Sequence, residues 1–389
     1  MTEIASFIFV LSSAALFYAY AGFPGLVIVA GWLRNRRVEI QEITPKLTII
    51  IAAHNEEQGI AKRIENTLLL DYPPEQLEVI IASDGSTDAT DAIAAKYTGS
   101  NVLLLSLPRK GKIHALSAAA AKAAGEILIF SDANTLFEPQ AMRMLARNFA
   151  DPQVGGVCGN QIYVEHKNSD MSSKGENLYW SYDKWLKTME SRTGSIVSAD
   201  GAIYAIRNEL FRMPAETAVT DDFAISTAVI EQGYRLVFES KALAYEETST
   251  AAKNEFGRKV RIINRGLRGV LMRRKLLNPL RYGFYSVILF SHKLLRRLVP
   301  VFLITLLASN VFLVPKGVFF LNGLFLQGFF YALAGCGYLL RKRSWGKTKV
   351  FYVPFFYCLA NAAALLAILK VMSGKRIELW QPQRQYVES

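Results

Sequence analysis

Apolar positions along this chain fall into two patterns. One is a set of short runs separated by polar, periodic stretches, and the other is a set of long uninterrupted runs. The short runs Lys46–Ala53, Leu77–Ala82, Val102–Leu105 and Ile127–Phe130 read as buried strands. Between them, Glu56–Leu70, Thr87–Tyr97 and Lys112–Ala124 read as helices. The first stops before Tyr72-Pro73-Pro74, and the last has Gly125 just past its end. Strand and helix alternating over ~90 residues predict a mostly parallel sheet built from right-handed crossovers. Short strands and helices continue through Tyr163, Ile203–Ile206 and Asp222–Glu231, with no internal repeat, low-complexity segment or long linker. Residues 38–275 therefore read as one α/β unit.

The long runs are Phe7–Trp32, Leu298–Val314, Val318–Leu340 and Val350–Met372. Crossing a hydrocarbon core takes ~20 apolar residues, so all are expected to span. The alternative, core helices of a soluble protein, fits poorly for the last two. They are uncharged until Lys370, and Phe319, Phe320, Tyr352 and Phe355 crowd their ends as interfacial belts do. The first run reads as an anchor and not as a cleaved leader, because only Glu3 precedes it and no basic residue does. Arg34, Arg36 and Arg37 follow it, which places the N-terminus outside and the next segment in the cytoplasm of an inner-membrane protein. The clusters His292–Arg297 and Arg341–Lys347 would mark further cytoplasmic ends. The same count puts the tail Ser373–Ser389 outside, against its Lys375, Arg376 and Arg384. The expected organisation is an anchor at 1–37, a soluble domain at 38–275, an interfacial segment at 276–297, spans within 298–372 and a tail at 373–389.

Charge adds a second layer. The 389-residue chain carries a formal +12, and Arg258–Lys275 holds eight basic residues and no acid. Each such charge near anionic lipid is worth ~1 kcal/mol, so a solvated membrane-facing surface is one reading. The other has one or two of these cations reaching a diphosphate or a lipid phosphate. Because the charge tracks the membrane-proximal segments, a nucleic-acid partner is not expected. Cys158, Cys336 and Cys358 show no metal-ligand spacing, which sets aside structural zinc and disulfides.

The chemistry lies in acidic clusters at strand ends. Asp84-Gly85-Ser86-Thr87-Asp88 and Ser131-Asp132-Ala133-Asn134 follow predicted strands, and Thr220-Asp221-Asp222 opens a predicted helix. Carboxylates at strand ends of an α/β sheet face the crevice where such sheets bind ligands. Several in one crevice suit a metal-bridged anion such as a nucleotide diphosphate. Asp88 is best explained as a helix cap, whereas Asp84 precedes the turn and is not. Asp132 with Asn134 can place two hard oxygen donors on one side, as Mg2+ or Mn2+ requires, although Asp132 could instead cap the next segment. Ala53-His54-Asn55-Glu56-Glu57 could hold a ribose hydroxyl or simply start a helix. Arg109-Lys110-Gly111-Lys112 could meet phosphate or be a plain basic loop. Two adjacent carboxylates, Asp221 and Asp222, favour one with a raised pKa that could act as a base.

Taken in order, these clusters resemble those of the family 2 glycosyltransferases, membrane-integrated inverting enzymes of polysaccharide synthesis such as the poly-N-acetylglucosamine, hyaluronan and cellulose synthases. The resemblance covers roughly residues 45–270 by motif. It implies a GT-A (Rossmann-like) fold in which Ala53, His54 and Glu56 line a uridine pocket, Asp84 holds the uracil edge and Lys112 lies near the nucleotide. It further implies that Asp132 and Asn134 form the "DxD" metal motif for Mg2+ or Mn2+. Gly201-Ala202-Ile203-Tyr204, with Asp221, would face the acceptor, Asp222 would be the base, and Arg265 would meet the leaving group. Two positions depart from the family pattern. Asn134 stands at the second metal-motif acid, and Gly266 follows Arg265 where processive members carry the tryptophan of "Q-x-x-R-W". The implied activity is transfer of sugar from a UDP-sugar to a growing, β-linked polysaccharide, with export or periplasmic proteins as further partners. Two other readings stand beside it: a transferase adding one sugar to a lipid-linked acceptor, and a transporter subunit with a nucleotide-sensing domain. Against the latter, the spans beyond Leu298 carry almost no ionisable residues.

Overall fold

The computed structural model describes residues 1–99, 101–164, 171–214, 218–247, 252–341 and 343–374. Residues 375–389, with the basic residues of the tail and Trp380, lie outside that set, as do residues 165–170. The chain begins with α1 (Thr2–Phe17), a π-helical turn at Tyr18–Gly22, and α2 (Phe23–Arg34). Strands and helices then alternate as β1 (Leu47–Ala53), α3 (Ile60–Leu68), β2 (Leu77–Asp84), α4 (Thr90–Ala95), β3 (Val102–Leu107), α5 (Lys112–Ala120) and β4 (Ile127–Asp132). Next come β5 (Thr135–Phe137), α6 (Ala141–Ala146), β6 (Val154–Val164), α7 (Met171–Thr193), β7 (Tyr204–Arg207), α8 (Asp221–Glu231), β8 (Arg235–Glu247) and α9 (Ala252–Met272). Short helices α10 (Pro279–Tyr282) and α11 (Phe284–Ile288) lead through a π-helical segment, Leu289–Leu295, into α12 (Arg296–Leu313). The helices α13 (Val318–Leu340) and α14 (Lys349–Met372) follow.

The strands form one sheet of eight in the order β3-β2-β1-β4-β7-β6-β8-β5. The first half is parallel, with Leu47 opposite both Leu77 and Ile127. Beyond β4 the sheet becomes mixed, since β7 runs antiparallel to both β4 and β6. The expected strands are all present. The first two expected helices start later, because Glu56 and Thr87 lie in turns tied together by side-chain bonds to their backbone N–H groups. The third starts at Lys112 as expected, and all three end two to four residues early.

Alternation in the strands divides the core in two. Ile49, Ile51, Val79 and Ile81 pack on one face with α3 and α6, while Ile50, Ile80, Leu128 and Phe130 pack on the other with α5. At roughly 1.5–3 kcal/mol for each large buried side chain, these two layers make the sheet the rigid part of the molecule. The second layer does not stop at the expected domain limits. It includes Phe23 and Val27 of α2, Leu186 of α7 and Tyr285, Ile288 and Leu289 near the second long helix. The membrane-proximal helices and the sheet thus share one core.

Among the described residues four helices are long and apolar enough to cross a membrane: Thr2–Arg34, Phe284–Lys316, Val318–Leu340 and Lys349–Met372. The second starts earlier than the expected Leu298, because the basic cluster at His292–Arg297 lies inside a continuous helical run and not at its entrance. Large apolar side chains such as Phe319, Phe325 and Leu326 stay exposed, as a lipid-facing surface requires.

Candidate active site

The site forms where β1, β2 and β4 end together. The parallel register brings Ala52 level with Ala82 and with Asp132, so the segments that follow share one edge. Ala53 is wholly buried in the sheet, which leaves His54 as the first residue of its turn to reach the surface. Burial, and then the charge of Arg109, hold the His54 imidazole below its usual range. Asn55 adopts the left-handed conformation at φ 53°, and its Oδ1 accepts from the Thr87 N–H at 2.8 Å. This ties the first turn to the second. Glu56 is buried, and its N–H donates to Thr90 Oγ1 at 2.7 Å. Asp88 stands one residue before the N-cap position of the next helix, and its Oδ1 accepts from the first helical N–H, that of Thr90, at 3.0 Å.

Asp84 is buried at the end of β2. Its carboxylate accepts the Lys110 and Gly111 N–H groups at 2.8 and 2.9 Å and is paired with Arg109. Gly111, at φ 99°, lets the backbone turn both N–H groups inward. Asp84 is therefore the anchor of the Arg109–Lys112 loop, a role the sequence reading did not foresee for it. That loop delivers Lys112 to the centre of the site. Its Nζ lies 2.7 Å from Asp132 Oδ1 and 2.8 Å from Asp221 Oδ2. Burial opposes the Lys112 charge, but the two carboxylates outweigh it and raise the ammonium above its usual range.

Asp221 and Asp222 open α8, at the positive end of the helix. Their environments separate them. Burial would raise Asp221, yet its ion pair with Lys112 holds it below the usual carboxylate range. Among the described residues Asp222 has no such partner. Burial and then the charge of Asp221 push it up to about 6, against a weaker opposing hydrogen bond from the Phe223 N–H. Gly201 faces both acidic positions. A β-carbon at Gly201 would lie 3.8 Å from Asp132 Oδ2 and 4.0 Å from Asp222 Oδ2. Asp132, Asp221, Asp222, Lys112 and Gly201 are thus brought together at one edge.

Other expected residues lie differently. Tyr204 is buried in the core, stacked on Phe130 at 4.9 Å, with no hydrogen bond to its hydroxyl among the described residues. Burial, and then the charges of Asp221, Asp222 and Asp132, hold its hydroxyl well above the usual range. Arg265, on α9, donates to the Val219 carbonyl from Nε at 3.0 Å and also from Nη2. It thereby clamps the segment leading into Asp221 and Asp222. Asn134 follows β4, where its Nδ2 donates to Glu246 Oε1 at 3.0 Å across β5 and β8.

Several important residues carried no motif. Arg63 is fully buried on α3, donates to Ser131 Oγ at 3.1 Å and lies over the Phe137 ring. Ser131 Oγ in turn donates to the Ala202 carbonyl at 3.0 Å, and the Ala199 N–H donates to Ser226 Oγ at 3.1 Å. The loop at 199–202 is thus fastened to β4 on one side and to α8 on the other. A charge at position 63 on the apolar face of Ile60, Ile64 and Thr67 was the available signal.

Among the described residues, no group of three His, Cys, Asp or Glu side chains could hold a metal ion alone. Asp132 does offer hard oxygens at the open side of the site, and Mg2+ or Mn2+ is commonly held by one or two carboxylates completed by substrate phosphates. The arrangement fits a cation that binds together with a diphosphate.

The sheet and the edge that carries this site have the GT-A fold. The solved mannosyltransferase PcManGT of Pyrobaculum calidifontis, in complex with GDP-Man and Mn2+, superposes with a TM-score of 0.68 at 21% identity. That match covers 95% of this chain and 100% of that one. The family described as glycosyl transferase family 2 matches residues 48–213. Poly-beta-1,6-N-acetyl-D-glucosamine synthase of Staphylococcus aureus (strain COL) is 27% identical over 210 residues, 51% of this chain and 49% of that protein. The probable glycosyltransferase YdaM of Bacillus subtilis (strain 168) is 24% identical over 252 residues, 62% of this chain and 60% of that protein. The chain thus spans about half the length of the first of these curated relatives.

Proposed function

We propose that this chain is a membrane-bound inverting glycosyltransferase that moves a sugar from a nucleotide sugar, UDP-linked, to a growing β-linked polysaccharide. The observation that carries the reading is the division of the Asp221–Asp222 pair. Lys112 keeps one carboxylate ionised, while the other, pushed up to about 6, is suited to take a proton near neutral pH. The names of the relatives and of the structural neighbour support saccharide transfer from a nucleotide sugar.

In this reading Asp222 accepts the proton of an acceptor hydroxyl as its oxygen attacks the anomeric carbon. The nucleoside diphosphate departs from the opposite face, so an α donor gives a β bond. Lys112 places its positive charge beside Asp132, where negative charge develops on the leaving group. Asp132, with Asn134 as a neutral neighbour, would hold Mg2+ or Mn2+, which when bound supplies Lewis-acid neutralisation of the diphosphate. His54, Glu56 and the Arg109–Lys112 loop form the nucleotide side, and Gly201 and Asp221 the acceptor side. Arg265 contributes by holding the start of α8 in place. The catalytic edge faces the cytoplasm of the inner membrane, and the C-terminal spans guide the product or its lipid acceptor outward.

The test uses purified protein in nanodiscs with a panel of UDP- and GDP-sugars. Nucleotide release is read with Mg2+ or Mn2+ and with EDTA, together with the size of the radiolabelled product. Release from a UDP-sugar that needs the cation and yields a ladder of products supports the reading. A single added sugar identifies the lipid-linked-acceptor transferase. Absence of release from every donor overturns both.

A further inference from the structure

A buried chain of charges leads from the second long helix to the loop beside the acidic edge, and the mechanism above leaves it unused. His292 contacts Glu190 Oε1 at 2.7 Å through Nδ1 and Asp183 Oδ1 at 3.1 Å through Nε2. Asp183 Oδ2 is 3.2 Å from the Lys187 ammonium, which also pairs with Asp200 Oδ2. Glu190 Oε2 accepts from the Val197 N–H at 3.0 Å, and the Asp200 N–H donates to Cys158 Sγ at 3.4 Å. Lys187 and Glu190 are essentially inaccessible. Buried ion pairs recover little of their desolvation cost, and apolar replacements are often as stable. Stability alone is a poor reason for this network, whereas fixing one geometry is a good one.

The network ends at Asp200, where its two oxygens differ. Oδ2 is held from below by Lys187. Among the described residues nothing hydrogen-bonds Oδ1, and the side chain keeps 20% of its exposure. Asp200 precedes Gly201 by one residue, ~3.8 Å between α-carbons, and Gly201 is the residue that faces both Asp132 and Asp222. The loop cannot easily move, since Ala199 is tied to Ser226 and Ala202 to Ser131.

We infer that Asp200 is an acceptor-binding residue whose free oxygen accepts a hydroxyl hydrogen of the incoming saccharide, with Lys187 as its positioning residue. A fixed carboxylate selects a hydroxyl-bearing sugar at this point and disfavours an acceptor group that is itself anionic. This rests on the reading of the chain as a saccharide-extending transferase.

The test is acceptor-stimulated nucleotide release in nanodiscs. The donor is the nucleotide sugar that the wild type uses, and β-linked N-acetylglucosamine oligosaccharides serve as the acceptor probe. Asp200→Asn should raise the acceptor concentration for half-stimulation by roughly 10- to 100-fold, the usual cost of losing a hydrogen bond to a charged group. UDP affinity should stay within about twofold, and Lys187→Arg should keep most of the acceptor affinity. If Asp200→Asn does not fold, Asp200→Glu moves the carboxylate by one methylene and should raise the acceptor requirement in the same way. An unchanged acceptor requirement, or an equal loss of UDP affinity, overturns the inference while leaving the transferase reading intact. A wild type that releases no nucleotide from any donor removes both.

Discussion

Asp222 is the residue on which the chemistry turns. Burial and the neighbouring Asp221 push it up to about 6 from an ordinary 3.8. A base must be deprotonated to act, so the acid limb of the rate–pH profile should bend near 6 and flatten above it. The same shift has a consequence for folding. An acid whose folded pKa is raised adds stability at pH below 3.8, and that contribution is lost as pH rises through about 6. Asp222→Asn should therefore melt higher than the wild type at pH 8, with the gap closing towards pH 4. A difference of ~1 kcal/mol moves the midpoint of a domain this size by ~2–4 °C. Calorimetric scans at both pH values check the sign. For the cation, Asp132→Ala should abolish both activity and its dependence on Mg2+ or Mn2+. Asn134→Asp would add a hard ligand but replace the amide donor to Glu246 with a second carboxylate, so it should lower the melting temperature at neutral pH. Activity that persists in EDTA and in Asp132→Ala would contradict the role of the cation.

At the scale of elements, the sequence showed the sheet and most of its edge. The short apolar runs could only be strands, and Asp132, Asp221 and Asp222 followed from their positions at strand and helix ends. What periodicity could not show was direction. Asp84 faces the loop at Arg109–Gly111, and Tyr204 packs into the core, because side-chain orientation at a turn depends on contacts from distant segments. The same holds for α9. A run of eight cations looks uniform in sequence, yet Arg265 clamps Val219, and Arg273 pairs with Glu231 and donates to the Ala224 carbonyl at 3.1 Å. Arg273 is thus part of the support of α8 and not simply lipid-facing charge. Arg265→Ala should cut turnover strongly, about tenfold or more. Arg265→Lys should recover only part, since lysine cannot reproduce two guanidinium bonds to one carbonyl. Arg273→Gln should lower thermal stability with a smaller effect on turnover. Equal losses of turnover at both positions would mean that the segment acts only through its total charge.

For the whole molecule, the shared core matters most. Phe23 and Val27 before the sheet and Ile288 and Leu289 after it pack into the same layer as Ile50 and Leu128. Hydropathy marks each of these as membrane-proximal, and nothing in a linear pattern shows that they fold against the sheet. The expected boundaries at 37 and 275 therefore cut through the core, and a fragment limited to 38–275 should be insoluble or inactive, as its yield after expression would show. Gly266 belongs at this scale too. A β-carbon there would meet Arg297 Nη2 at 2.5 Å, so a larger residue would require the guanidinium end of that side chain to move aside. With no aromatic ring at that position, products should be shorter than those of processive synthases.

The central claim is that Asp222 is the base of a nucleotide-sugar transferase, and one paired measurement addresses it directly. Wild type and Asp222→Asn are compared in nanodiscs for sugar transfer from the preferred donor and for UDP affinity by calorimetry. Transfer should fall about 10²–10⁴-fold in the variant, the usual cost of removing a general base, while UDP affinity stays nearly unchanged. Near wild-type transfer by Asp222→Asn would contradict the account and move the role to another group.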